Sequence, residues 1–352
     1  MNFRLLKGLK DFQNLDLSVI LLNHGRLADE IENLGIPVDI VDETQLGFPR
    51  ILKKISTLIK KKRPDVLHCH LYKLNILAFL ATLGGGRTAS LVSTQHGMPE
   101  LVGRRGDLKY FALSRFNFLL MSRWFHGSVA VSNEIRKALI GQYGFNEKRT
   151  FLIYNGTENH EGPIPERSGQ DFTIGSTGRF FPVKDFNLMV ETARDVVKME
   201  SDIRFEIAGD GPEKERVAET ISRYGIEKSF LLRGFLDDVS PFYKEIDVYI
   251  NTSKHEGIPM SILEAMALGL PIIAPDVGGV GEIIEDGVQG FLVKGRNPQD
   301  FADRCIRLYR DERLRRQMGA AAKERVETVF SHHRMADNYY ELYRAITKTN
   351  TM

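Results

Sequence analysis

Short apolar runs bounded by turn residues alternate with longer stretches of helical period along the whole chain. A short apolar run is typical of a buried strand, and apolar positions spaced three and four apart are typical of a helix that packs on a sheet. The alternation therefore predicts an α/β protein with parallel sheets and crossover helices. The predicted strands lie near residues 17–22, 38–41, 65–68, 91–93, 129–131, 152–154, 172–176, 203–208, 230–233, 248–251 and 272–274.

The order of these elements predicts two domains and a terminal helix. The 352 residues suffice for two domains of about 100 to 200 residues each. A polar stretch with Pro and Gly separates two strand series, so we predict domains over 1–165 and 166–330, followed by a helix within 331–352. The first predicted element is a helix near residues 3–12. Because a doubly wound domain commonly opens with a strand and a glycine-rich turn, we expect that these two features are missing here.

Composition and charge exclude several classes of protein. The first 165 residues carry 22 Lys and Arg against 15 Asp and Glu, so this half favours an anionic neighbour, although the whole chain has a net charge of only +2. No nucleic-acid recognition motif accompanies that charge. No apolar run approaches the roughly 18 residues that span a bilayer, and the start lacks the apolar stretch of a secretory signal. We therefore expect a cytoplasmic protein that does not bind nucleic acid.

Two charged clusters follow predicted strands of the second half. Arg179 and Lys184 come after the strand near 172–176, where two cations would neutralise a diphosphate. Glu256 and Glu264 flank the start of a helix predicted within 255–269, whose amino end favours a phosphate. The two glutamates are roughly 12 Å apart along such a helix, which is too far for the carboxylate pair of a retaining hydrolase. They would suit opposite ends of one long ligand.

These residues belong to a series of short motifs that resembles retaining glycosyltransferase family 4 over nearly the whole chain. The joint order of the motifs is more specific than any one of them. In the second half they are Gly178-Arg179 with Lys184, Gly209-Asp210-Gly211-Pro212, Gly234-Phe235, Glu256-Gly257 with Pro259, Leu263-Glu264-Ala265-Met266-Ala267 with Gly269, Pro271, and Gly278-Gly279. In the first half they are Arg63-Pro64-Asp65-Val66-Leu67-His68-Cys69-His70, Thr94-Gln95-His96-Gly97, Ala130-Val131-Ser132 and Asn155-Gly156.

The resemblance implies a GT-B fold, in which two Rossmann-like doubly wound domains face a cleft. The first domain would bind the acceptor, the second a nucleoside-diphosphate sugar, and the terminal helix would pack back on the first domain. The implied catalytic residues are Glu256 at the transferred sugar, His96, Arg179 and Lys184. The implied donor-binding residues are Arg179, Lys184, Gly234, Phe235, Gly257, Ile258, Pro259 and Glu264, of which Glu264 would bind the ribose. His70 is a candidate on the acceptor side.

The family's chemistry implies front-face transfer with retention of configuration and without a protein nucleophile. The positive charges would stabilise the departing diphosphate, so we expect neither a metal nor a cofactor besides the donor, and the sequence has no Asp-x-Asp motif. The implied acceptor is a glycan or lipid-linked glycan of cell-surface polysaccharide synthesis. Residues 107–125 mix aromatic and basic side chains, which predicts either a core helix or a peripheral membrane contact.

Two other functions fit the same sequence. A nucleotide-sugar epimerase shares the fold but needs further acid and base groups, which the sequence does not identify. A catalytically silent sugar-nucleotide-binding protein would be consistent with the missing first strand. A nicotinamide dehydrogenase is disfavoured because no Gly-x-Gly-x-x-Gly follows a strand near the start of either half. Turnover of the donor would distinguish the enzymes from the binding protein. The stretch 155–170 is the predicted hinge.

Overall fold

The chain forms two compact units. The computed structural model describes residues 1–83, 89–98, 108–160, 162 and 171–349. Unit 1 comprises Met1–Gly156 and His332–Met352, and unit 2 comprises Thr157–Ser331. The sequence places these divisions at residues 165 and 330. Most of the predicted hinge, residues 161 and 163–170, lies outside the described residues.

Unit 1 contains six short strands and seven α-helices within its described residues. Each strand ends beside a helix or turn that leads to the next one. The strands are β1 (Val19–Leu21), β2 (Val38–Ile40), β3 (Val66–Cys69), β4 (Ser90–Gln95), β5 (Gly127–Ala130) and β6 (Thr150–Leu152). The helices are α1 (Asn2–Leu9), α2 (Arg26–Asn33), α3 (Phe48–Lys62), α4 (Tyr72–Thr82), α5 (Leu108–Trp124), α6 (Asn133–Tyr143) and, at the carboxyl terminus, α14 (His332–Thr349), with a 3-10 turn at Glu147–Arg149.

The strands of unit 1 pair in parallel. β1 pairs with β2, and β3, β4, β5 and β6 form a four-stranded sheet in that order. Helix α14 packs on this sheet, since Met335, Tyr339 and Tyr343 share a buried cluster with Val92 and with Leu9 of α1. The terminal helix thus belongs to unit 1, although unit 2 separates it from the rest of that unit along the chain.

Helix α3 shows how the sequence dictates a local structure. Ile51, Ile55 and Ile59 recur every four residues and are buried, and the last turn carries Lys60–Lys62, whose charges complement the helix dipole. The helix ends at Arg63, which adopts a left-handed conformation with φ of 47°. The basic run that stands out in the sequence is therefore the solvated end of an amphipathic helix.

Unit 2 contains six strands and seven α-helices within its described residues. The strands are β7 (Phe172–Thr177), β8 (Ile203–Ala208), β9 (Phe230–Gly234), β10 (Val248–Ile250), β11 (Ile272–Pro275) and β12 (Gly290–Val293). The helices are α7 (Phe186–Met199), α8 (Lys214–Tyr224), α9 (Ser240–Glu245), α10 (Met260–Ala267), α11 (Val280–Ile283), α12 (Pro298–Arg310) and α13 (Glu312–Val329).

The strands of unit 2 form one parallel sheet in the order β12-β11-β10-β7-β8-β9. The strand order reverses between β7 and β10, because the chain proceeds from β7 towards β9 on one side and from β10 towards β12 on the other. Ligands of open α/β sheets bind at such a switch point, outside the carboxyl ends of the strands. The α/β class, predicted from the alternating pattern, and the Rossmann-like character of both halves, implied by the family resemblance, are confirmed.

Two predictions from the sequence need correction. The helix predicted within residues 255–269 extends only from Met260 to Ala267. It begins no earlier than Met260 because Pro259 restricts the residue before it to extended backbone. Strand β12 is missed, since it is four residues long and starts at a glycine. A Cβ at Gly290 would lie 1.9 Å from the Ile272 carbonyl oxygen of β11, so that glycine permits the close pairing of the two strands.

Candidate functional site

The loop of residues 178–185, here called the cation loop, leaves the carboxyl end of β7 at the switch point. The fully buried Phe180 side chain anchors the loop in the core of unit 2. The guanidinium carbon of Arg179 lies 5.2 Å from the ring centroid of Phe181. A Cβ at Gly211 would come within 2.8 Å of the Phe180 backbone nitrogen, so the glycine of the next loop is required for this close approach.

The loop of residues 251–259, here called the glutamate loop, leaves β10, the strand next to β7. The Lys184 ammonium donates to Glu256 Oε1 at 2.6 Å, and the Ser253 hydroxyl donates to the same oxygen at 2.6 Å. The Lys184 and Glu256 side chains are 22% and 13% exposed. An ammonium and a carboxylate that are largely withdrawn from water thus form a charge-assisted hydrogen bond at the switch point.

The glycine pair at residues 278 and 279 fixes the backbone of Glu256. Gly278 has a φ of +56°, and a Cβ there would lie 1.8 Å from the Glu256 carbonyl oxygen. The Gly279 N–H donates to that same carbonyl at 3.1 Å. The glycines that the sequence offers only as a family motif therefore have a steric purpose, which is to let the loop after β11 press against the glutamate loop.

Arg296 ties the cation loop to the glutamate loop. Its guanidinium donates to the carbonyl of Ser253 at 3.0 Å, to the carbonyl of Thr252 at 2.6 Å and to Asp185 Oδ2 at 2.6 Å. Asp185 is held in a left-handed conformation, with φ of 45°. Sequence reasoning missed Arg296, because it lies about 40 residues beyond the glutamate loop and no local motif marks it.

Glu264 is oriented by a buried tyrosine. It lies on α10, and the Tyr243 hydroxyl donates to its Oε2 at 3.0 Å. The same hydroxyl lies 2.8 Å from Thr177 Oγ1 at the end of β7. Burial and the nearby Glu264 carboxylate raise the pKa of Tyr243 well above its ordinary value, so the tyrosine remains a donor at neutral pH. Tyr243 was also missed, since a tyrosine in a short helix gives no signal in the sequence.

The other predicted donor-binding residues line the same edge of the sheet. Gly257, Ile258 and Pro259 are buried directly before α10, whose first backbone N–H groups have no partner within the helix. Gly234 ends β9 with φ of +76°, and its carbonyl accepts from the N–H of Gly209 at 2.7 Å. The following Phe235 is 69% exposed, which offers a flat apolar face. Unit 2 thus combines cations, carboxylates, a helix amino end and an aromatic ring at one edge.

The two predicted histidines of unit 1 lie together at the carboxyl ends of β3 and β4. His70 Nδ1 and His96 Nε2 are 3.2 Å apart. The ring of His68 lies 4.2 Å from that of His70, and its two nitrogens are 2.6 Å from the Tyr343 hydroxyl and 2.8 Å from Thr94 Oγ1. His68 was not predicted as a site residue. His68 lies two residues before His70 in the sequence. Only the fold shows that its ring packs against the pair formed by His70 and His96.

Burial keeps this histidine cluster uncharged. It lowers the pKa of His96 to about 4 and that of His68 to about 3, where the nearby His96 adds to the shift. The pKa of His70 is also well below its ordinary value, because of burial and then of the neighbouring histidines. The imidazoles are therefore neutral at physiological pH and can accept or donate one hydrogen bond at each free nitrogen.

The structure brings most of the predicted residues together within each unit. Lys184 and Glu256 are in contact, and Arg179 shares the cation loop with Lys184. Glu264 lies on the helix that follows the glutamate loop, and His70 contacts His96 in unit 1. The roles predicted for these residues remain predictions.

Family models match both halves of the chain. The model described as Glycosyltransferase Family 4 matches residues 2–160, and the model described as Glycosyl transferases group 1 matches residues 159–325. The two matched regions meet at the division between the two units. Among the described residues, no helix has the length and apolar character that crossing a membrane requires.

Three known proteins illustrate the similarity. The poly(ribitol-phosphate) alpha-N-acetylglucosaminyltransferase of Staphylococcus aureus is 26% identical to this chain. The similar region covers 62% of this chain but only 44% of that relative's length. The UDP-Gal:alpha-D-GlcNAc-diphosphoundecaprenol alpha-1,3-galactosyltransferase of Escherichia coli is 23% identical over 94% of this chain and 89% of its own length. The crystal structure of Anabaena HepE in complex with UDP superposes with a TM-score of 0.81 at 20% identity, covering 97% of this chain and 95% of that one. The shared architecture is the GT-B fold.

Proposed function

This chain belongs to glycosyltransferase family 4, and from that premise we propose that it transfers a hexosyl or N-acetylhexosaminyl group from a nucleoside-diphosphate sugar to a glycan or lipid-linked acceptor, with retention of configuration. The transfer would serve cell-surface polysaccharide synthesis. The observation that carries the proposal is the Lys184–Glu256 contact at the switch point of unit 2. The contact joins an ammonium group, which we assign to a phosphate of the donor, and a carboxylate, which we assign to the transferred sugar.

The donor would lie along the carboxyl edge of the sheet of unit 2. We assign its diphosphate to Arg179, Lys184 and the amino end of α10, formed by Gly257, Ile258 and Pro259. Glu264 would accept hydrogen bonds from the ribose, and Glu256 would bind the transferred sugar. The Gly234 backbone and the Phe235 ring would border the base. Since two of the relatives described above carry UDP in their names, we propose a uridine nucleotide as the first donor to test.

The chemistry proposed for the site needs charge stabilisation rather than a nucleophile. The bond from C1 to the diphosphate oxygen breaks, the acceptor hydroxyl oxygen bonds C1 on the same face, and the hydroxyl proton passes to the departing phosphate. Arg179 and Lys184 would stabilise the negative charge that grows on the diphosphate, the task that metal ions perform in other transferases. We therefore propose that the reaction requires neither a metal ion nor a cofactor. The neutral His96 and His70 are assigned to the acceptor side, in unit 1.

A peripheral membrane contact would bring such an enzyme to a lipid-linked acceptor. Helix α5 buries Phe118 and Met121, so the core-helix prediction holds for that face, while its opposite face exposes Leu113, Phe116 and Leu119 by 37%, 49% and 45%. Arg115 and Arg123 flank this apolar stripe. We propose that the stripe rests on an anionic membrane surface on the cytoplasmic side.

The proposal is tested by donor binding and turnover. The purified chain is titrated with a panel of nucleoside-diphosphate sugars, and release of nucleoside diphosphate is followed with and without a simple glycoside acceptor. We expect one donor to bind at micromolar to millimolar concentration and to turn over faster with acceptor, with NMR showing that the product keeps the anomeric configuration of the donor. Interconversion of the donor sugar without transfer would support the epimerase instead. Binding without any turnover would support the silent binding protein, and absence of binding would refute the donor site.

A further inference from the structure

A cavity of about 330 Å³ opens in unit 1 beside the histidine pair, and we call it the imidazole pocket. It lies at the carboxyl ends of β3 and β4, between α4 and α5. Its polar walls are formed by His70, His96, Gln95, Thr94, Tyr72, Ser114, Asn75 and Asn117, and its apolar walls by Leu71, Met98 and Phe118. Nothing in the family motifs includes Asn75 or Asn117.

The two asparagines form a buried amide pair that is incompletely bonded. Asn75 and Asn117 are 2% and 3% exposed, and Asn75 Nδ2 donates to Asn117 Oδ1 at 3.0 Å. Among the residues that the structure describes, the Asn117 amide nitrogen donates only to the Met121 sulfur, at 3.3 Å, and sulfur is a weak acceptor. Asn75 Oδ1 is buried and has no hydrogen-bond partner among the described residues.

This leaves the pair with one unused acceptor and one weakly used donor on residues that line the pocket. Buried polar atoms are nearly always hydrogen-bonded, and an unbonded one is an observation that needs a cause. A hydroxyl group both donates and accepts, so a single hydroxyl can complete the bonding of both amides. A fully ionised phosphate or carboxylate cannot do so, because it has no hydrogen to donate to Asn75 Oδ1.

The charge of the pocket supports the same ligand class. Its described lining includes no Lys, Arg, Asp or Glu, and burial keeps His70 and His96 neutral. A neutral, amide-rich wall opposite apolar side chains matches a sugar ring, which presents hydroxyls at its edge and C–H groups on its faces. A volume of 330 Å³ lies at the lower end of ligand pockets, which span about 300 to 1,000 Å³.

We propose that the imidazole pocket binds one uncharged sugar ring of the acceptor, and that the Asn75–Asn117 pair determines its specificity by bonding one ring hydroxyl. The inference rests on the proposed function, since it identifies the acceptor side of that reaction. It excludes a phosphate-bearing unit from this pocket and leaves any phosphate of a lipid-linked acceptor outside it.

The experiment compares matched glycosides on matched variants. The full chain is titrated with methyl glucoside, methyl galactoside and methyl N-acetylglucosaminide and with their monodeoxy analogues, while NMR follows the ring signals of His70 and His96. In the wild-type protein we expect one glycoside to shift these signals and one deoxy analogue of it to bind about 10-fold more weakly, because the amides are then left unpaired. In Asn75→Leu that discrimination should vanish, with the glycoside binding as weakly as the analogue.

Controls separate this inference from folding and from the donor site. Leu77→Val alters the packing of the buried face of α4 without lining the pocket or bonding either amide, and it should keep the discrimination. If Asn75→Leu does not fold, Asn117→Ser serves in its place, since it keeps a small polar group. Binding of the panel of nucleoside-diphosphate sugars is measured in parallel. If the wild type binds none of them, the proposed donor site is refuted. If it binds one of them but no glycoside, or if wild type and variant discriminate equally, the sugar pocket alone is overturned.

Discussion

The two units place their sites in the same way but fill them with opposite chemistry. In each, the site lies at the carboxyl ends of parallel strands, β7 and β10 in unit 2 and β3 and β4 in unit 1. Unit 2 presents Arg179, Lys184, Glu256 and Glu264, whereas unit 1 presents neutral imidazoles and amides. The comparison teaches that topology fixes where a ligand can bind and that side-chain charge selects its class, which in our two proposals is a charged diphosphate for unit 2 and a neutral sugar for unit 1.

The strongest test of the charged site is the removal of its buried cation. We expect Lys184→Ala to lower transfer about 10²- to 10³-fold, because charge on the departing diphosphate loses a preorganised partner. The readout is the initial rate of nucleoside diphosphate release at saturating acceptor. The variant also leaves Glu256 with the Ser253 hydroxyl but without its cationic partner, so donor affinity should fall together with the rate.

Lys254→Ala is the matched control for that substitution. Lys254 lies in the glutamate loop, but its side chain is 51% exposed and lies 3.8 Å from Asp185 rather than beside Glu256. It should retain transfer within about twofold, since exposed ion pairs contribute little. Equal loss in both variants would mean that general positive charge, not the Lys184 position, supports the reaction. Normal transfer in Lys184→Ala would refute its assigned role.

The histidine cluster of unit 1 predicts a different kind of effect. The stability of unit 1 should depend on pH. The pKa of His96 is lowered to about 4 and that of His68 to about 3, below the ordinary value of 6.5. Above about pH 6.5 the His68 and His96 side chains are uncharged in both the folded and the unfolded protein, so their full contribution to stability is present. As the pH falls below that value, only the unfolded state takes up protons. The free energy of unfolding should decrease by up to about 1.4 kcal/mol per pH unit for each histidine until the folded state also protonates.

Trp124, the chain's one tryptophan, lies in unit 1 and reports its unfolding. Urea denaturation followed by its fluorescence should show a midpoint that drops between pH 7 and pH 5. The His68→Asn, His96→Asn double variant should lose part of that pH dependence, because asparagine does not titrate. A wild-type midpoint that is constant over this range would contradict the neutral cluster.

The sequence predicts more of the site in unit 2 than of the site in unit 1. In unit 2 five of the six described strands, the cation loop and the position of Glu256 follow from local patterns, since a strand, a glycine and a charged residue are neighbours along the chain. Arg296 and Tyr243 do not, because they reach the loops only through tertiary contacts. In unit 1 the amide pair is invisible in the sequence, since Asn75 and Asn117 are 42 residues apart and become a site only by their burial together.

Tyr243 gives a smaller and more specific test of the charged site. Tyr243→Phe removes the hydroxyl that orients Glu264, so we expect donor affinity to fall about 10-fold, the equivalent of one buried hydrogen bond to a charged group. The rate at saturating donor should change little, because a residue that positions the ribose acts on binding. Isothermal titration with the nucleoside and with the free nucleobase, which differ only in the ribose, separates the ribose contact from the rest.

Tyr249→Phe is the control, since its hydroxyl belongs to the same buried network but bonds Thr177 and not Glu264. It should cost a similar amount of stability and leave donor affinity unchanged. If the two variants weaken donor binding equally, the network supports the fold of the site and not Glu264 in particular.

The smallest effect is expected on the exposed stripe of α5, where unit 1 would meet a charged surface. Substituting Phe116→Ser together with Leu119→Ser removes two side chains that are 49% and 45% exposed. Because such side chains bury only partly at a membrane surface, we expect partition onto anionic phosphatidylglycerol vesicles at low salt to fall about fivefold.

Leu231→Ser, which changes a 48% exposed side chain of unit 2, is the control and should leave partition unchanged. High salt should weaken wild-type binding, since Arg115 and Arg123 are screened. Equal partition of the wild type and the double variant would remove the membrane contact and leave the stripe as ordinary surface.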